Sequence, residues 1–313
     1  PVVEKQKKKG SKGLLLGGLA VAGVLLVSIF GIGIYWVFFR DGGFPLIANT
    51  DQPANRGNVP PANTSSNTGV NNNSNVNNTA PPPELPKAEM VRITGGKFAM
   101  GRNNGPLKEQ PAHEVDVKDF WMDKTEVTNA EYAKFIADTK YRTPDHWVDG
   151  KPLAGQEAMP VVFVSLEDAK AFAAWRSKRD SVEYRLPTEE EWEYAARNGG
   201  QYVLFPWGEK WVDGNGVIDQ AAAKAVGSAP NGNNKWGVED LIGNVWEWTS
   251  SDLSAYPGSK VEPVKSPKPR AMIRGGAFLS KAEGGTAVNA TFRGDIETEK
   301  RNEALGFRLV RSQ

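Results

Sequence analysis

From Leu14 to Phe39 the chain runs for 26 residues without one charged side chain. A helix that crosses the hydrocarbon core of a bilayer needs about 20 predominantly apolar residues. Tyr35 and Trp36 stand near the far end of the run, where aromatic rings favour the headgroup interface. Residues 14–39 therefore read as one transmembrane helix. Residues 1–13 carry Lys5, Lys7, Lys8, Lys9 and Lys12, a basic juxtamembrane segment that the positive-inside rule places in the cytoplasm. Everything after Arg40 then lies in a periplasm or an extracellular space. The competing reading is a cleaved signal peptide. Its apolar core would span only roughly 7–15 residues and end at a small-residue cleavage site, and this run is longer and lacks a clear site. The chain opens on Pro1, as the C-terminal part of a longer polypeptide or a processed product would.

Beyond the apolar run two regions differ in character. Residues 40–86 are rich in Asn, Thr and Pro, including Asn71–Asn73 and Pro81–Pro83. Too few apolar side chains are present to offset the entropy of ordering, so this stretch reads as a disordered stalk. Residues 87–313 read as a globular domain. After Arg40 the chain holds 32 basic and 36 acidic side chains. A mildly acidic domain without a basic stripe excludes nucleic acid as a partner, because phosphate contacts dominate that affinity. There is no cysteine, which removes disulfides, thiolate nucleophiles and zinc–thiolate sites together. The absence of a disulfide framework in an outward-facing domain leans bacterial. His113 and His146 are the two histidines, and they do not stand at a ligand-pair spacing.

Three helices are announced by their caps. Thr128 with Glu131 precedes a segment at 130–137, Ser165 with Asp168 precedes a helix running to about Lys178, and Thr188 with Glu191 precedes a third that Gly199 and Gly200 end. Strand-like alternation marks 90–100, 113–122 and 306–310. No internal repeat is visible. The expectation is an α+β domain with much irregular backbone.

The ordered motifs of this domain then spell a family. MVRITGGKFAMG at Met90–Gly101, EVTNAEYAKF at Glu126–Phe135 and MPVVFVSLEDAKAFAAW at Met159–Trp175 open the series. YRLPTEEEWEYAARNGG at Tyr184–Gly200 is the most specific of them. FPWG at Phe205–Gly208, GNVWEWTSS at Gly243–Ser251, RGGAF at Arg274–Phe278 and GFRLVR at Gly306–Arg311 complete it. Together they resemble the formylglycine-generating-enzyme, or sulfatase-modifying-factor, family. The resemblance implies a C-type-lectin-like fold with a surface cleft. It also implies an activity, the oxidation by oxygen of a cysteine in sulfatase-type peptides to formylglycine, with two cysteines binding copper(I).

The departures from the pattern carry the functional expectation. The resemblance places the family's active-site serine at Ala277 and its two cysteines at Ser280 and Gly285. A hydroxyl does not replace a thiolate towards copper(I), so copper is not expected. The resemblance matches the family's calcium-binding segment to Asn244, Val245 and Glu247, which makes calcium the metal to test, while the loop leading to the family's second calcium site, near Asn215, is shortened here; the competing reading is a tight turn with Trp246 and Trp248 in the core. Arg274, Arg293, Trp207 and Trp236, together with Trp211, are candidates for shaping the cleft, with core packing and buried hydrogen bonding as the alternatives. Glu189, Glu190, Glu191 and Glu193 read as acids that complement the dipole of their helix. The expected function is a membrane-anchored, non-catalytic recognition or sensor module for a peptide, glycan or protein ligand. The resemblance also implies a link to a cytoplasmic serine/threonine kinase, which members of similar architecture often follow. Two alternatives stand beside it: a formylglycine-generating oxidase using a cysteine-independent route, and a cell-envelope assembly protein.

Overall fold

A computed structural model describes residues 88–283 and 287–313. The basic segment 1–13, the apolar run 14–39, the stalk 40–86 and Gly285 lie outside the described residues. Among the described residues no helix is long and apolar enough to cross a membrane.

The segment expected as one strand at 90–100 is two strands, β1 (Met90–Ile93) and β2 (Gly96–Met100). Its partner segment divides likewise into β3 (His113–Val117) and β4 (Phe120–Asp123). The cause is a corner. A Cβ on Gly95 would lie 2.2 Å from the carbonyl oxygen of Val117, so only glycine lets the two chains cross there. Asp119 fixes the bend by accepting from the Gly95 amide at 2.8 Å. β2 pairs antiparallel with β3, whereas β1 pairs with β4. The last strand, β9 (Val310–Ser312), adds to the far side of β4 and makes the order β1-β4-β9.

The three helices form where their caps direct. In α1 (Asn129–Thr139) the Thr128 hydroxyl accepts from the Glu131 amide. The Glu131 carboxylate does not return the bond; it lies 3.8 Å from Arg176 and 3.9 Å from Arg179 instead. α2 (Leu166–Asp180) and α3 (Glu189–Ala196) carry complete capping boxes, from Ser165 with Asp168 and Thr188 with Glu191. Between α1 and α2 lies an aromatic core: Tyr132 stacks on Phe172 at 5.6 Å, and Phe172 meets Phe307 edge-on at 5.4 Å.

The third sheet holds β5 (Trp246–Asp252), β6 (Arg270–Arg274), β7 (Gly294–Glu297) and β8 (Leu305–Gly306) in the order β7-β6-β5-β8. β8 runs parallel to β5. The strand expected at 306–310 is thus a break between β8 and β9. Arg308 is wholly buried in that break and its guanidinium takes three backbone carbonyls, those of Asp123, Lys124 and Glu239. Trp246 and Trp248 are core residues, the Trp248 indole donating to the Val164 carbonyl at 2.9 Å. α3 packs on β2, β3, β5 and β6, which puts its carboxylates at the centre of the domain.

Candidate functional site

The segment after β6 turns sharply through Gly275 and Gly276, whose φ values are 96° and 74°. A side chain at Gly276 would meet Val288 at 2.5 Å and the Ser280 hydroxyl at 3.0 Å. Ala277 is buried and Ser280 half-buried. The Ser280 hydroxyl accepts from the Ala277 amide at 3.0 Å, and the Ser280 amide donates to the Ala277 carbonyl at 2.8 Å. These reciprocal bonds close a tight turn. Backbone bonds from Asp219 to Ser280 O (2.9 Å) and from Gln220 to Phe278 O (2.8 Å) tie it to the neighbouring loop, and Lys281 forms an ion pair with Asp219. The described part of the site therefore offers hard oxygen and amide groups. It contains no soft donor that fits copper(I), and the serine lies against backbone rather than against a base.

Calcium is tested by the donors themselves. Glu247 is fully buried and both its oxygens are engaged: Arg308 donates at 2.7 and 2.8 Å and the Trp192 indole at 2.9 Å. The Asn244 carbonyl oxygen accepts from the Lys224 amide at 2.9 Å, and its amide donates to Glu126 at 3.0 Å. The guanidinium of Arg308 occupies the cationic role beside Glu247. Packed this way, the side-chain oxygens of Asn244 and Glu247 already meet protein donors and do not present a 6–8-oxygen calcium shell. Among the described residues no group of three or more His, Cys, Asp or Glu side chains gathers as a metal set. Asn215 sits in a loop packed so closely on Gly232 that a Cβ there would meet its carbonyl oxygen at 1.9 Å.

Of the two readings open for Arg274 and Arg293, cleft shaping and buried hydrogen bonding, their packing matches the second. Arg274 is wholly buried and donates to Glu193 at 2.6 Å, Glu189 at 3.2 Å and the carbonyls of Ala290 and Thr291. Arg293 grips both oxygens of Glu189 at 2.6 and 2.7 Å. Glu193 also takes Arg197 at 2.9 Å and the Gly101 amide at 2.7 Å. Burial by itself would lower the pKa of Arg274, but the charges of Glu193 and Glu189 more than reverse this and keep it ionised. Burial also pushes the nearby Tyr256 hydroxyl well up, reinforced by Glu193 and Glu189. The helix-dipole account of these acids is accordingly incomplete. Glu189 and Glu193 stand four residues apart on one helical face, and that face points inward.

Trp207 stacks on Phe205 at 5.2 Å, and Trp211 meets both rings edge-on. Trp236 stacks on Tyr194 at 6.0 Å with Lys235 over its ring. All three tryptophans pack partly buried against the main hydrophobic cluster, so they brace irregular backbone. His113 lies on Tyr256 at 4.6 Å, and His146 lies on Phe163 at 4.8 Å with burial lowering its pKa. A buried carboxyl pair escaped the sequence reading. Glu126 and Asp240 are both almost inaccessible and each keeps one oxygen without a hydrogen-bond partner. Burial, then the neighbouring Asp240 charge, drives the Glu126 pKa well up.

The family description "Sulfatase-modifying factor enzyme 1-like domain" matches residues 76–313. The chain belongs to the sulfatase-modifying factor family. Among its members it is similar to a bovine protein named inactive C-alpha-formylglycine-generating enzyme 2, at 30% identity covering 71% of this chain and 87% of that one. It is also similar to the formylglycine-generating enzyme of Mycobacterium tuberculosis, at 27% identity covering 71% and 97%. Among solved structures, PvdO from Pseudomonas aeruginosa aligns with a TM-score of 0.60 and 26% identity, covering 72% of this chain and 95% of that one. A mixed sulfatase-modifying-factor fold with few helices is thereby established for the described domain.

Proposed function

We propose that this sulfatase-modifying factor domain is a non-catalytic recognition module, carried outside the cell on the apolar segment 14–39 and held off the bilayer by the stalk 40–86. The observation that carries the reading is Ser280. The residue at the first copper-cysteine position is a serine whose hydroxyl is drawn into a turn by the Ala277 amide, and no cysteine exists elsewhere in the chain to replace it. The family's oxidation of a cysteine needs a soft copper(I) ligand set, so the fold is retained while the chemistry is withdrawn. Similar proteins whose names record an inactive enzyme support the same reading. The ligand is a peptide, a glycan or a protein, and the module serves as the outer part of a receptor whose inner part is a serine/threonine kinase.

The experiment incubates the purified chain with copper(I), oxygen and a cysteine-containing sulfatase-type peptide, and looks for aldehyde by mass spectrometry. No aldehyde above the chain-free control is expected. Catalytic turnover to an aldehyde would overturn the proposal. For the receptor part, the DNA upstream of the Pro1 codon should encode a kinase in frame, and a start codon immediately upstream would remove it.

A further inference from the structure

A groove of about 1170 Å³ opens on a different part of the domain, and none of Ala277, Ser280, Trp207 or Trp236 lines it. Its near wall is the whole of β3, from His113 to Val117, continuing through Lys118 and Asp119. Its far wall is the first turn of α3 with Arg185, and the segment 254–257 closes one side. Consecutive strand residues point to opposite faces. A groove that touches every residue of a strand is therefore not confined to one face and reaches the strand's edge. β3 pairs with β2 alone, and no backbone group of β3 bonds elsewhere among the described residues. The outer N–H and C=O groups of this strand thus face an open trough whose length, at about 3.4 Å per residue, holds a strand of about five residues.

The charge of the trough selects what enters it. Glu114, Asp116 and Glu190 line it beside Lys118, while the lining acids Asp119, Glu189 and Glu191 are already held by Arg92 at 2.9 Å, Arg293 at 2.6 Å and Arg185 at 2.7 Å. Glu190 has no ion-pair partner among the described residues, whereas Glu114 and Asp116 hold exposed lysines at 2.9 and 3.3 Å. Exposed pairs of that kind contribute little and exchange readily. A second β3 edge would bring Glu114 and Asp116 against their own copies, and like charges across a strand pair are unfavourable. The same acids that reject self-pairing favour a cationic strand.

We propose that the outer edge of β3 accepts an extended polypeptide segment with lysine or arginine at alternate positions, which adds as a third strand to β2-β3. Backbone hydrogen bonds supply the register and the acidic walls supply the selectivity, as in strand addition generally. The site is independent of the non-catalytic reading: aldehyde formation would overturn that reading and leave this one standing.

The test titrates the full chain, by fluorescence anisotropy at low salt, into a labelled (Lys-Val)4 peptide amide. The comparison peptides are (Glu-Val)4 and a (Lys-Val)4 in which the amides along one strand edge are N-methylated. Expected are saturable binding of the first, at least tenfold weaker binding of both others, and at least tenfold weaker binding by the Asp116→Lys, Glu190→Lys double variant. Hydrogen exchange of the wild-type amides 113–117 should slow at least tenfold on adding (Lys-Val)4, a readout that does not depend on the variant folding. Equal binding of the N-methylated peptide would reduce the trough to a charged surface and overturn strand addition. So would unchanged exchange at β3, absence of binding, or self-association of the chain through this edge in sedimentation.

Discussion

Arg274→Met decides whether this arginine belongs to a cleft or to the core. The substitution keeps an unbranched apolar stem and removes a guanidinium with no accessible surface. Glu193 then loses its 2.6 Å partner; one of its oxygens keeps Arg197 and the Gly101 amide, while the other retains only the Tyr256 hydroxyl at 3.3 Å. The carbonyls of Ala290 and Thr291 lose this donor as well. Breaking a buried ion pair from one side typically costs about 3–5 kcal/mol, because the remaining charge is stranded. For a domain of this size that corresponds to a fall in Tm of roughly 10 °C, at about 2–4 °C per kcal/mol. Urea unfolding followed by tryptophan fluorescence measures it, with an unchanged m-value showing that the same surface unfolds. Adding Glu193→Gln to Arg274→Met should return part of the loss, since an amide is cheaper to bury than an unpaired carboxylate. A cost for Arg274→Met below about 0.5 kcal/mol, the range of ordinary surface substitutions, would refute the buried-network account and put Arg274 back in an open cleft.

Three smaller tests follow from other parts of the fold. Asp168 caps α2 and accepts from Arg301 at 2.7 and 2.9 Å; burial raises its pKa, but the Arg301 and Ser165 hydrogen bonds outweigh this and the net shift is downward from 3.8. A depressed carboxyl pKa contributes stability above its unfolded value that is lost as pH falls through the folded one. Asp168→Asn should therefore cost about 1–2 kcal/mol at pH 7, as lost caps do, and the gap to wild type should close below pH 3.8 in parallel denaturation curves. Gly95→Ala should destabilise by about 1–3 kcal/mol, the range of overpacked sites, because the added methyl meets the Val117 carbonyl; thermal unfolding by circular dichroism reads it. Ser280→Ala should cost only about 0.5–1.5 kcal/mol, the value of one hydrogen bond, and should leave the peptide-binding isotherm at β3 unchanged.

The parts of this fold that were legible in the chain were those that local chemistry decides. The pairs Ser165–Asp168 and Thr188–Glu191 marked their helices because a cap is a contact between near neighbours. The corner at Gly95 was not legible, since its reason is the Val117 carbonyl on another segment. For Arg274 and Arg293 the sequence leaves cleft and buried hydrogen bonding both open for a related reason: it shows an arginine beside a family motif but not which carboxylate it faces. A signal was present in the spacing of Glu189 and Glu193, one helical turn apart in a segment rich in buried residues. Acids repeated on an inward face require buried cations, and Arg274, Arg293 and Arg197 are those cations. At the turn after β6 the identities of Ala277 and Ser280 are legible and carry the expectation that copper is not bound, yet the turn that engages the Ser280 hydroxyl was visible only in three dimensions.

The β1-β4-β9 sheet has a consequence for how the domain is made. β4 pairs on one side with residues near 90 and on the other with residues near 311, so the sheet closes a loop of nearly the whole domain. Contacts that distant are entropically late. During synthesis, the hairpin partners and α1 emerge long before the strand that completes their sheet, and the Asp123 carboxylate waits for the Leu309 amide it finally accepts. The domain therefore finishes folding only once residues 310–312 have left the ribosome. Until then the open flank of β4 needs protection from pairing with the wrong strand.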